Sequence, residues 1–270
     1  MELEEIRRRW QKGWRDSGEA ERRWDAMAPT FYGQEVPSFN ENALLSLIER
    51  ENMLGSDCRA LEIGCGTGKY CLALAPHCRE VTGLDISEKM LEYARGEAVR
   101  LGLANAVFTQ GDWRAEELDK RGWTGTFDLL MAWLTPAVID YESFLKFCSA
   151  SRGWCVLGNH VHRAESLSDR YRALFGMPPA KTAEDDIIFA TAALLRQGKK
   201  PYLSYMENAW ERTSTFDELY EKYRRRLGAC KPVSPETEAR LRAFLEREVD
   251  ENGLLHEKLS ATIGILYWRV

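Results

Sequence analysis

Three glycines at alternate positions follow a short apolar run in the stretch LEIGCGTGKY; they are Gly64, Gly66 and Gly68. Glycines spaced this closely let a ligand come very near the main chain, because glycine has no Cβ. A loop of this kind after a strand is typical of sites for a phosphate, a dinucleotide or another nucleoside. The remaining alternative is a tight turn against a neighbouring strand, with no ligand.

The spacing of the loop does not fit two common nucleotide-binding motifs. The phosphate loop needs Gly-x-x-x-x-Gly-Lys-Ser/Thr, whereas Tyr70 stands here where the hydroxyl residue is required after Lys69. The dinucleotide fingerprint needs Gly-x-Gly-x-x-Gly, and here the third glycine, Gly68, comes one residue early. The motif that is present is Glu-x-Gly-x-Gly-x-Gly, which begins at Glu62.

Two further carboxylates follow the glycine loop, each at the end of a short apolar segment. Asp85 ends VTGLD, seventeen residues after Gly68, and Asp112 ends QGD. A carboxylate at the end of the second strand can accept hydrogen bonds from both hydroxyls of a ribose. The pattern therefore indicates a ligand that contains a nucleoside.

Apolar runs that read as strands alternate with amphipathic segments that read as helices between residues 58 and 161. The predicted strands are CRALEIG (58–64), EVTGLDI (80–86), AVFTQGD (106–112), FDLLMAWL (127–134) and GWCVLGNHV (153–161). Ser87 is the expected N-cap of the helix after the second strand. Strands that look buried on both faces, with helices between them, are typical of a parallel sheet covered on both sides.

The outer segments carry further expectations. Residues 3–28 read as one helix, and Asn40 is a candidate cap for the helix that follows the loop 28–39. Residues 165–200 read as helical, 201–215 as a long strand, and 261–270 as a closing strand, with Ser234 and Pro235 at the start of the last helix. We expect His160 and His162 after the fifth strand, where they could supply a base or a weak metal ligand, or simply pack and face solvent.

The motif from Glu62 to Gly68, with Asp85 and Asp112 at later strand ends, resembles the class I S-adenosylmethionine-dependent methyltransferases. The resemblance covers residues 58–135 by motif and reaches about residue 161 by alternation. It implies an α/β fold, Rossmann-like, with three α/β/α layers, a seven-stranded mostly parallel sheet whose last strand is antiparallel, and a helical insertion. We expect one domain, 1–270, divided into an N-terminal helical lid (1–55), a cofactor-binding core (56–162), a substrate-covering insertion (163–215) and C-terminal helices with the closing strand (216–270).

The resemblance also implies roles for individual residues. The glycines would admit the methionine part of the cofactor, Asp85 would hold the ribose, Asp112 would face the adenine amino group, and an aromatic residue of 24–32 would close over the cofactor. The implied cofactor-binding residues are Glu62, Gly64, Cys65, Gly66, Gly68, Asp85, Ile86, Met90, Asp112, Trp113, Ala132, Trp133, Trp24 and Tyr32. For Trp113 and Trp133 a plain core position is the alternative, and for the N-terminal segment a helix packed on the sheet edge.

The expected reaction is in-line transfer of a methyl group from S-adenosyl-L-methionine to a small-molecule acceptor, with S-adenosyl-L-homocysteine as product. Its sulfonium methyl is already activated, so catalysis is mainly alignment, and the sequence singles out no catalytic residue. The segment Ala132-Trp133-Leu134-Thr135-Pro136 lacks the Asn/Asp-Pro-Pro-aromatic pattern of amino methyltransferases. The alternatives are methylation of RNA or protein, and a non-catalytic S-adenosylmethionine-binding protein.

The composition limits the classes of partner that we expect for this protein. The net charge is -5, which argues against a dedicated nucleic-acid binder, and no apolar run approaches the ~18 residues that span a membrane. The charged N-terminus does not resemble a signal peptide, so we expect a cytoplasmic protein. The seven cysteines form no CxxC pair, and we expect buried, reduced thiols and no metal site. The identity of the acceptor and the oligomeric state are not indicated by the sequence.

Overall fold

The computed structural model describes residues 1–11, 16–178, 184–228, 230 and 232–270, without the side chain of residue 184. Within these residues the helices are α1 Leu3–Arg9, α2 Ser17–Met27, α3 Ala43–Arg50, α4 Lys69–Leu74, α5 Glu88–Leu101, α6 Leu118–Arg121, α7 Tyr141–Ala150, α8 Ser166–Leu174, α9 Glu184–Arg196, α10 Phe216–Gly228 and α11 Pro235–Glu246. None of the described helices is both long and apolar enough to cross a lipid bilayer.

Seven strands form one sheet. Their bounds are β1 Gly55–Ile63, β2 Cys78–Asp85, β3 Ala106–Gln110, β4 Phe127–Trp133, β5 Ser151–Glu165, β6 Tyr202–Thr215 and β7 Leu254–Arg269. The strand order is β3-β2-β1-β4-β5-β7-β6, with β7 antiparallel to the rest. This confirms the predicted Rossmann-like sheet. The parallel pairs among the first five strands place their carboxyl ends at one edge.

Alternate residues of the central strands pack into two different apolar cores. In β4, Leu129 and Met131 belong to the core formed with α3, α4 and α5, whereas Leu130 and Ala132 belong to the core formed with α1, α7 and α9. Successive side chains of a strand point to opposite faces, so this division shows that the sheet is covered on both sides. Burial on both faces explains the nearly continuous apolar run of β4 in the sequence.

The chain divides into two compact units. Unit 1 comprises Met1–Val161, Ala183–Met206 and Ile263–Val270, and it contains the two cores described above. Unit 2 comprises His162–Thr182 and Glu207–Thr262. Its own core is formed by residues of α8, α10 and α11 with Leu255, including a stacked pair of Tyr171 and Tyr223 with ring centroids 4.2 Å apart.

Several element boundaries differ from the sequence predictions. The expected helix 3–28 is two helices, α1 and α2, and residues 12–15 between them lie outside the described residues. The cap of α3 is Asn42, not Asn40, because the Asn42 side chain accepts hydrogen bonds from the N–H groups of Leu44 and Leu45. β1 begins at Gly55. The predicted caps Ser87 and Ser234 are confirmed.

The later strands are longer than predicted. β5 continues to Glu165, so His160 and His162 lie within this strand and do not follow it. β7 begins at Leu254, well before the predicted start at residue 261. The extension of β7 has one buried face, since buried and exposed residues alternate from Leu255 to Ala261.

Candidate functional site

The glycine loop links β1 to α4, and all three glycines have positive φ angles, of 68°, 56° and 75° for Gly64, Gly66 and Gly68. A Cβ at Gly64 would overlap the Thr135 hydroxyl, and one at Gly68 would lie 2.6 Å from the Phe108 ring. A Cβ at Gly66 would meet nothing within 4 Å. Protein side chains therefore occupy the space beside Gly64 and Gly68. Of the three glycines only Gly66 has an open face, that is, free space where a side chain would be.

Asp85, the last residue of β2, holds the loop in place. Its Oδ2 accepts a hydrogen bond from the N–H of Gly66 at 2.8 Å, and its Oδ1 accepts one from the N–H of Ser87 at 2.9 Å. Burial raises the pKa of Asp85, and these two N–H groups act in the opposite direction. Each carboxylate oxygen can accept further hydrogen bonds, so the group retains acceptor capacity for a diol. Ile86 is half-buried beside it, and Met90 is buried in the first turn of α5.

Glu62 lies in β1 beneath the loop and is almost completely buried. Its Oε2 accepts a hydrogen bond from the Cys71 thiol at 3.0 Å. Burial raises the pKa of Glu62 to about 7, although the Cys71 thiol lowers it in part. Cys65 also points inward, since its Sγ lies where a side chain on Gly83 would be, and burial raises its pKa to about 11. Both side chains face the interior beneath the loop.

The turn after β3 carries Asp112 and Trp113. Asp112 is half-buried, and its Oδ1 accepts a hydrogen bond from the N–H of Arg114 at 3.0 Å. Trp113 is buried in the core, where its indole N–H donates to the Ser143 carbonyl at 3.2 Å. The Lys146 ammonium donates to three carbonyl oxygens of this turn, those of Trp113, Arg114 and Glu116, at 3.0, 3.0 and 2.7 Å. This lysine holds the turn that follows Asp112.

The end of β4 lies beside the glycine loop. Ala132 is fully buried, and the ring of Trp133 packs over Gly158, where a Cβ would overlap it. Leu134 follows with φ of 51°, an uncommon conformation for a residue with a branched side chain, and is 39% exposed. Thr135 then fills the space next to Gly64. The first exposed apolar side chain after this strand is therefore Leu134.

Helix α2 lies across the carboxyl ends of β2 and β3. The Ser17 hydroxyl donates to Asp112 Oδ2 at 2.6 Å, and the Ser87 hydroxyl donates to Asp25 Oδ1 at 2.6 Å. Between them, the Gln110 amide donates to the Glu21 carboxylate at 2.9 Å. Three polar side chains of α2, spaced by four residues, thus contact the strand ends that carry the predicted nucleoside-binding carboxylates.

The two aromatic residues predicted to close over the cofactor occupy different surroundings. Trp24 is half-buried on α2, with the Arg23 guanidinium 5.8 Å from its ring centroid. Tyr32 is 69% exposed, and its ring lies 4.7 Å from that of Tyr93 on α5. The polar side chains of α2 contact the strand ends more directly than either aromatic residue does.

The structure brings Gly66, Asp85 and Asp112 to one edge of the sheet, as the order of the strands requires. Sequence reasoning missed four residues that shape this edge: Ser17, Asp25, Thr135 and Lys146. Ser17 is 95 residues from its partner Asp112, and no local pattern indicates such a pairing. The Asp16 cap of α2, which accepts a hydrogen bond from the N–H of Glu19, is the one local signal that a separate helix begins there.

The strand order and the glycine loop are those that the resemblance to the class I methyltransferases predicts. Residues 54–168 match the family model described as a methyltransferase domain. The YcgJ protein of Bacillus subtilis has the same fold, with a TM-score of 0.50 at 18% identity over 83% of this chain and 97% of that one.

Curated relatives match part of this chain. A 23S rRNA (uracil(1939)-C(5))-methyltransferase of Stenotrophomonas maltophilia is 34% identical over 114 residues, which cover 40% of this chain and 25% of that protein. A protein-L-isoaspartate O-methyltransferase of Myxococcus xanthus is 30% identical over 120 residues, which cover 44% of this chain and 52% of that protein. The chain thus spans from a quarter to about half the length of these relatives.

Proposed function

We propose that this chain transfers a methyl group from S-adenosyl-L-methionine to a small-molecule acceptor. The observation that carries the proposal is the buried Asp85 carboxylate, which binds the N–H of Gly66 and still has lone pairs for two hydroxyls. Gly66 has an open face beside this carboxylate. The buried Asp85 carboxylate suits the hydroxyls of a ribose, and the open face of Gly66 beside it suits the charged methionine part of the same molecule.

The residues at this edge suit the donor in three ways. Asp85 would accept hydrogen bonds from the ribose hydroxyls, Asp112 would accept one from the adenine amino group, and the main chain at Gly66 would contact the methionine part. When bound, the donor supplies a methyl group on a sulfonium that is already activated for displacement. The chain then has to align the acceptor with that methyl and exclude water, which requires no metal ligand or covalent intermediate.

Glu62 would act on the loop and not on the donor. Its carboxyl group binds the Cys71 thiol beneath the loop and is buried away from the open face of Gly66. We therefore assign Glu62 to positioning α4 and the glycine loop. Trp113 and Trp133 support the site from the core, and their contact with the donor stays a prediction.

Helix α2 is proposed as the cover of the donor site. Ser17, Glu21 and Asp25 bind strand-end groups that would lie beside an adenosine. Hydroxyl and carboxylate side chains can exchange these contacts for contacts with ribose or adenine at little cost, since both are polar hydrogen bonds. The proposed cover is therefore polar, whereas the sequence predicted an aromatic one.

A small molecule is the favoured acceptor. The chain carries a net charge of -5, whereas an RNA-binding surface needs an excess of basic residues. The names of the relatives include one enzyme for ribosomal RNA and one for protein, so methylation of a macromolecule is the alternative. Leu134, exposed directly after β4, would offer apolar contact to an organic acceptor.

Two measurements test the proposal. Calorimetry should detect binding of S-adenosylmethionine and of S-adenosylhomocysteine to the full chain, and the absence of both would refute the donor assignment. In the second, the chain and methyl-labelled donor are incubated with a cell extract that is then fractionated by size. Label in the small-molecule fraction supports the proposed acceptor class, whereas label confined to RNA or protein transfers the assignment to the alternative.

A further inference from the structure

Three polar side chains of unit 2 are joined in a row by hydrogen bonds, and we name them the Thr–His–Asp triad: Thr213, His256 and Asp250. The Thr213 hydroxyl lies 3.3 Å from His256 Nδ1, and His256 Nε2 lies 2.9 Å from Asp250 Oδ2. Thr213 belongs to β6 and His256 to β7, and all three residues lie within unit 2. A hydroxyl, an imidazole and a carboxylate in this order can activate a nucleophile.

Asp250 fixes which ring nitrogen of His256 carries the proton. Its Oδ1 accepts hydrogen bonds from the N–H groups of Asn252 at 2.8 Å and Leu254 at 2.9 Å, so a tight turn holds the carboxylate. The hydrogen bond with His256 and these N–H groups lower the pKa of Asp250 to about 2, so the carboxylate is ionised near pH 7. An ionised carboxylate only accepts hydrogen bonds, and Nε2 therefore donates to Oδ2.

This arrangement leaves His256 Nδ1 as the atom that accepts a proton. With Nε2 protonated, the neutral imidazole has its free lone pair on Nδ1, and the Thr213 hydroxyl donates to it. His256 can therefore act as a general base toward Thr213. Asp250 acts through His256 as a positioning residue, since it sets the tautomer and the orientation of the ring.

The triad is open to small molecules. Thr213 is exposed, and the side chains of His256 and Asp250 are 50% and 28% exposed. Buried and exposed residues alternate along β7 from Leu255 to Ala261, so His256 lies on the exposed face of this strand. Exposed ion pairs contribute little to stability, so the three groups are not needed to hold the two strands together.

We propose that the Thr–His–Asp triad is a site of acyl transfer, at which the Thr213 hydroxyl accepts the acyl group of a small activated ester. Thr213 Oγ1 forms a bond with the carbonyl carbon of the ester and gives its proton to His256 Nδ1. The bond between that carbon and the leaving oxygen then breaks, and His256 passes the proton to the leaving alcohol. The products are acyl-threonine and an alcohol, and water can then release the acid and restore the hydroxyl. The proposal does not depend on methyl transfer.

The test is incubation of the full chain with p-nitrophenyl acetate, followed by digestion and mass spectrometry to locate the acetyl groups. We expect an acetyl ester on Thr213 that hydroxylamine removes, since hydroxylamine cleaves esters and leaves acetyl-lysine intact. Ser260 is the internal control, because it is exposed on the same face of β7 as His256 but lies about 14 Å along the strand. Its hydroxyl is less hindered, yet we expect at least tenfold less acetyl on it than on Thr213.

A variant without the base tests the role of the imidazole. His256→Gln should lower the acetylation of Thr213 at least tenfold, because glutamine cannot take up the proton. The matched control is His77→Gln, which makes the same change at an exposed histidine of unit 1 and should leave the acetylation of Thr213 unchanged.

A second variant tests the carboxylate. Asp250→Asn keeps the turn, because the amide oxygen can still accept from the N–H groups of Asn252 and Leu254, but it removes the charge that holds the proton on Nε2. Nitrogen NMR of the imidazole should show a larger share of the tautomer with the proton on Nδ1 of His256. Acetylation should fall with it, and a carboxylate that only holds the turn would change neither quantity.

Three outcomes overturn the proposal. One is the absence of an acetyl ester on Thr213, and another is equal acetylation of Thr213 and Ser260, because the hydroxyl would then not be activated. The third is unchanged acetylation in His256→Gln, since the imidazole would then not act as the base. No methyl donor enters these measurements, so their failure is distinct from a failure of the proposed function.

Discussion

The carboxylate of Asp85 accepts a hydrogen bond from the backbone N–H of Gly66, a residue nineteen positions earlier in the chain. This contact joins the end of β2 to the middle of the glycine loop. One side chain therefore holds the loop and, in the proposed function, would also accept the hydrogen bonds of a ribose. Substitutions at the two residues therefore have separable consequences.

Asp85→Asn should weaken binding of S-adenosylhomocysteine about 100-fold. Asparagine has an uncharged amide in place of the carboxylate that would accept hydrogen bonds from the two ribose hydroxyls. Hydrogen bonds to a charged group contribute about 1.5–3 kcal/mol each. Calorimetry on the purified variant gives the dissociation constant directly. Asp57→Asn, at an exposed position of β1, serves as the matched control and should bind like the unaltered chain. An affinity of Asp85→Asn equal to that of the control would contradict the assignment.

Gly66→Ala and Gly64→Ala should differ in what they damage. A Cβ at Gly66 meets no atom, so the cost is the positive φ alone, about 1 kcal/mol of stability, but the methyl group fills the open face and should abolish donor binding. At Gly64 the Cβ overlaps Thr135, and the expected loss is about 3 kcal/mol or more. Urea denaturation and calorimetry on both variants separate the two effects. Equal loss of stability would show that the face of Gly66 is not open.

The stability of the chain should fall as the pH rises through the pKa of Glu62. Burial raises this pKa from 4.5 to about 7, so the folded chain holds the proton more tightly than the unfolded chain does. The stabilising contribution is complete below pH 4.5 and is lost as the pH passes about 7. The full difference amounts to about 3 kcal/mol at about 1.4 kcal/mol per pH unit.

Glu62→Gln isolates this effect, because glutamine keeps an oxygen for the Cys71 thiol and cannot ionise. Relative to the unaltered chain, the variant should gain stability between pH 4.5 and pH 8, as measured by urea denaturation at both values. Glu92→Gln, an exposed carboxylate of α5, should show no such gain. A stability difference for Glu62→Gln that is the same at both pH values would refute the prediction.

Lys146→Met should destabilise the chain by about 2 kcal/mol and weaken donor binding through Asp112. The ammonium group donates to three carbonyls of the turn 113–116, and methionine leaves these partly buried acceptors without it. Thermal unfolding gives the first effect and calorimetry the second. Lys120→Met removes an exposed lysine that pairs with Glu117 and should change neither quantity measurably. A variant at Lys146 with unchanged affinity would show that the turn does not depend on this lysine.

Hydrogen exchange of α2 should respond to the donor. We expect slower exchange of the amides of residues 17–27 when S-adenosylhomocysteine is bound, because a ligand beneath α2 adds contacts to it. In the free chain, Ser17→Ala with Asp25→Ala removes three hydrogen bonds of these side chains and should speed exchange of the same amides. Amides of α11, which packs in the core of unit 2, are the internal reference. Unchanged exchange of α2 on ligand binding would contradict its role as a cover.

The sequence predicted the central part of the fold because the relevant interactions are local. The run LLMAWL at the end of FDLLMAWL is apolar throughout, which is typical of a strand covered on both faces. Parallel strands place their carboxyl ends together, so Asp85 and Asp112 had to lie at the edge that carries the glycine loop. Element ends were less predictable: Asn42 and not Asn40 caps α3, since either asparagine suits the local pattern.

The side-chain hydrogen bonds that position the site residues could not be predicted from the sequence. Ser17 and Asp25 belong to a helix whose position depends on packing, and their partners are 95 and 62 residues away. The inward orientation of Glu62 depends on Cys71, a residue of α4 that no motif connects with it. Side-chain partners at such distances are decided by how whole elements pack.

The sequence by itself determined the glycine loop, the strands around it and the carboxylates at the strand ends, because glycine conformation and strand alternation are properties of short segments. Only the tertiary structure decided which groups each of these residues faces. It left an open face at Gly66 while Thr135 and Phe108 filled the space at Gly64 and Gly68. Identical residue types in one motif thus have different roles, since space around a backbone atom is set by side chains that arrive from distant parts of the chain.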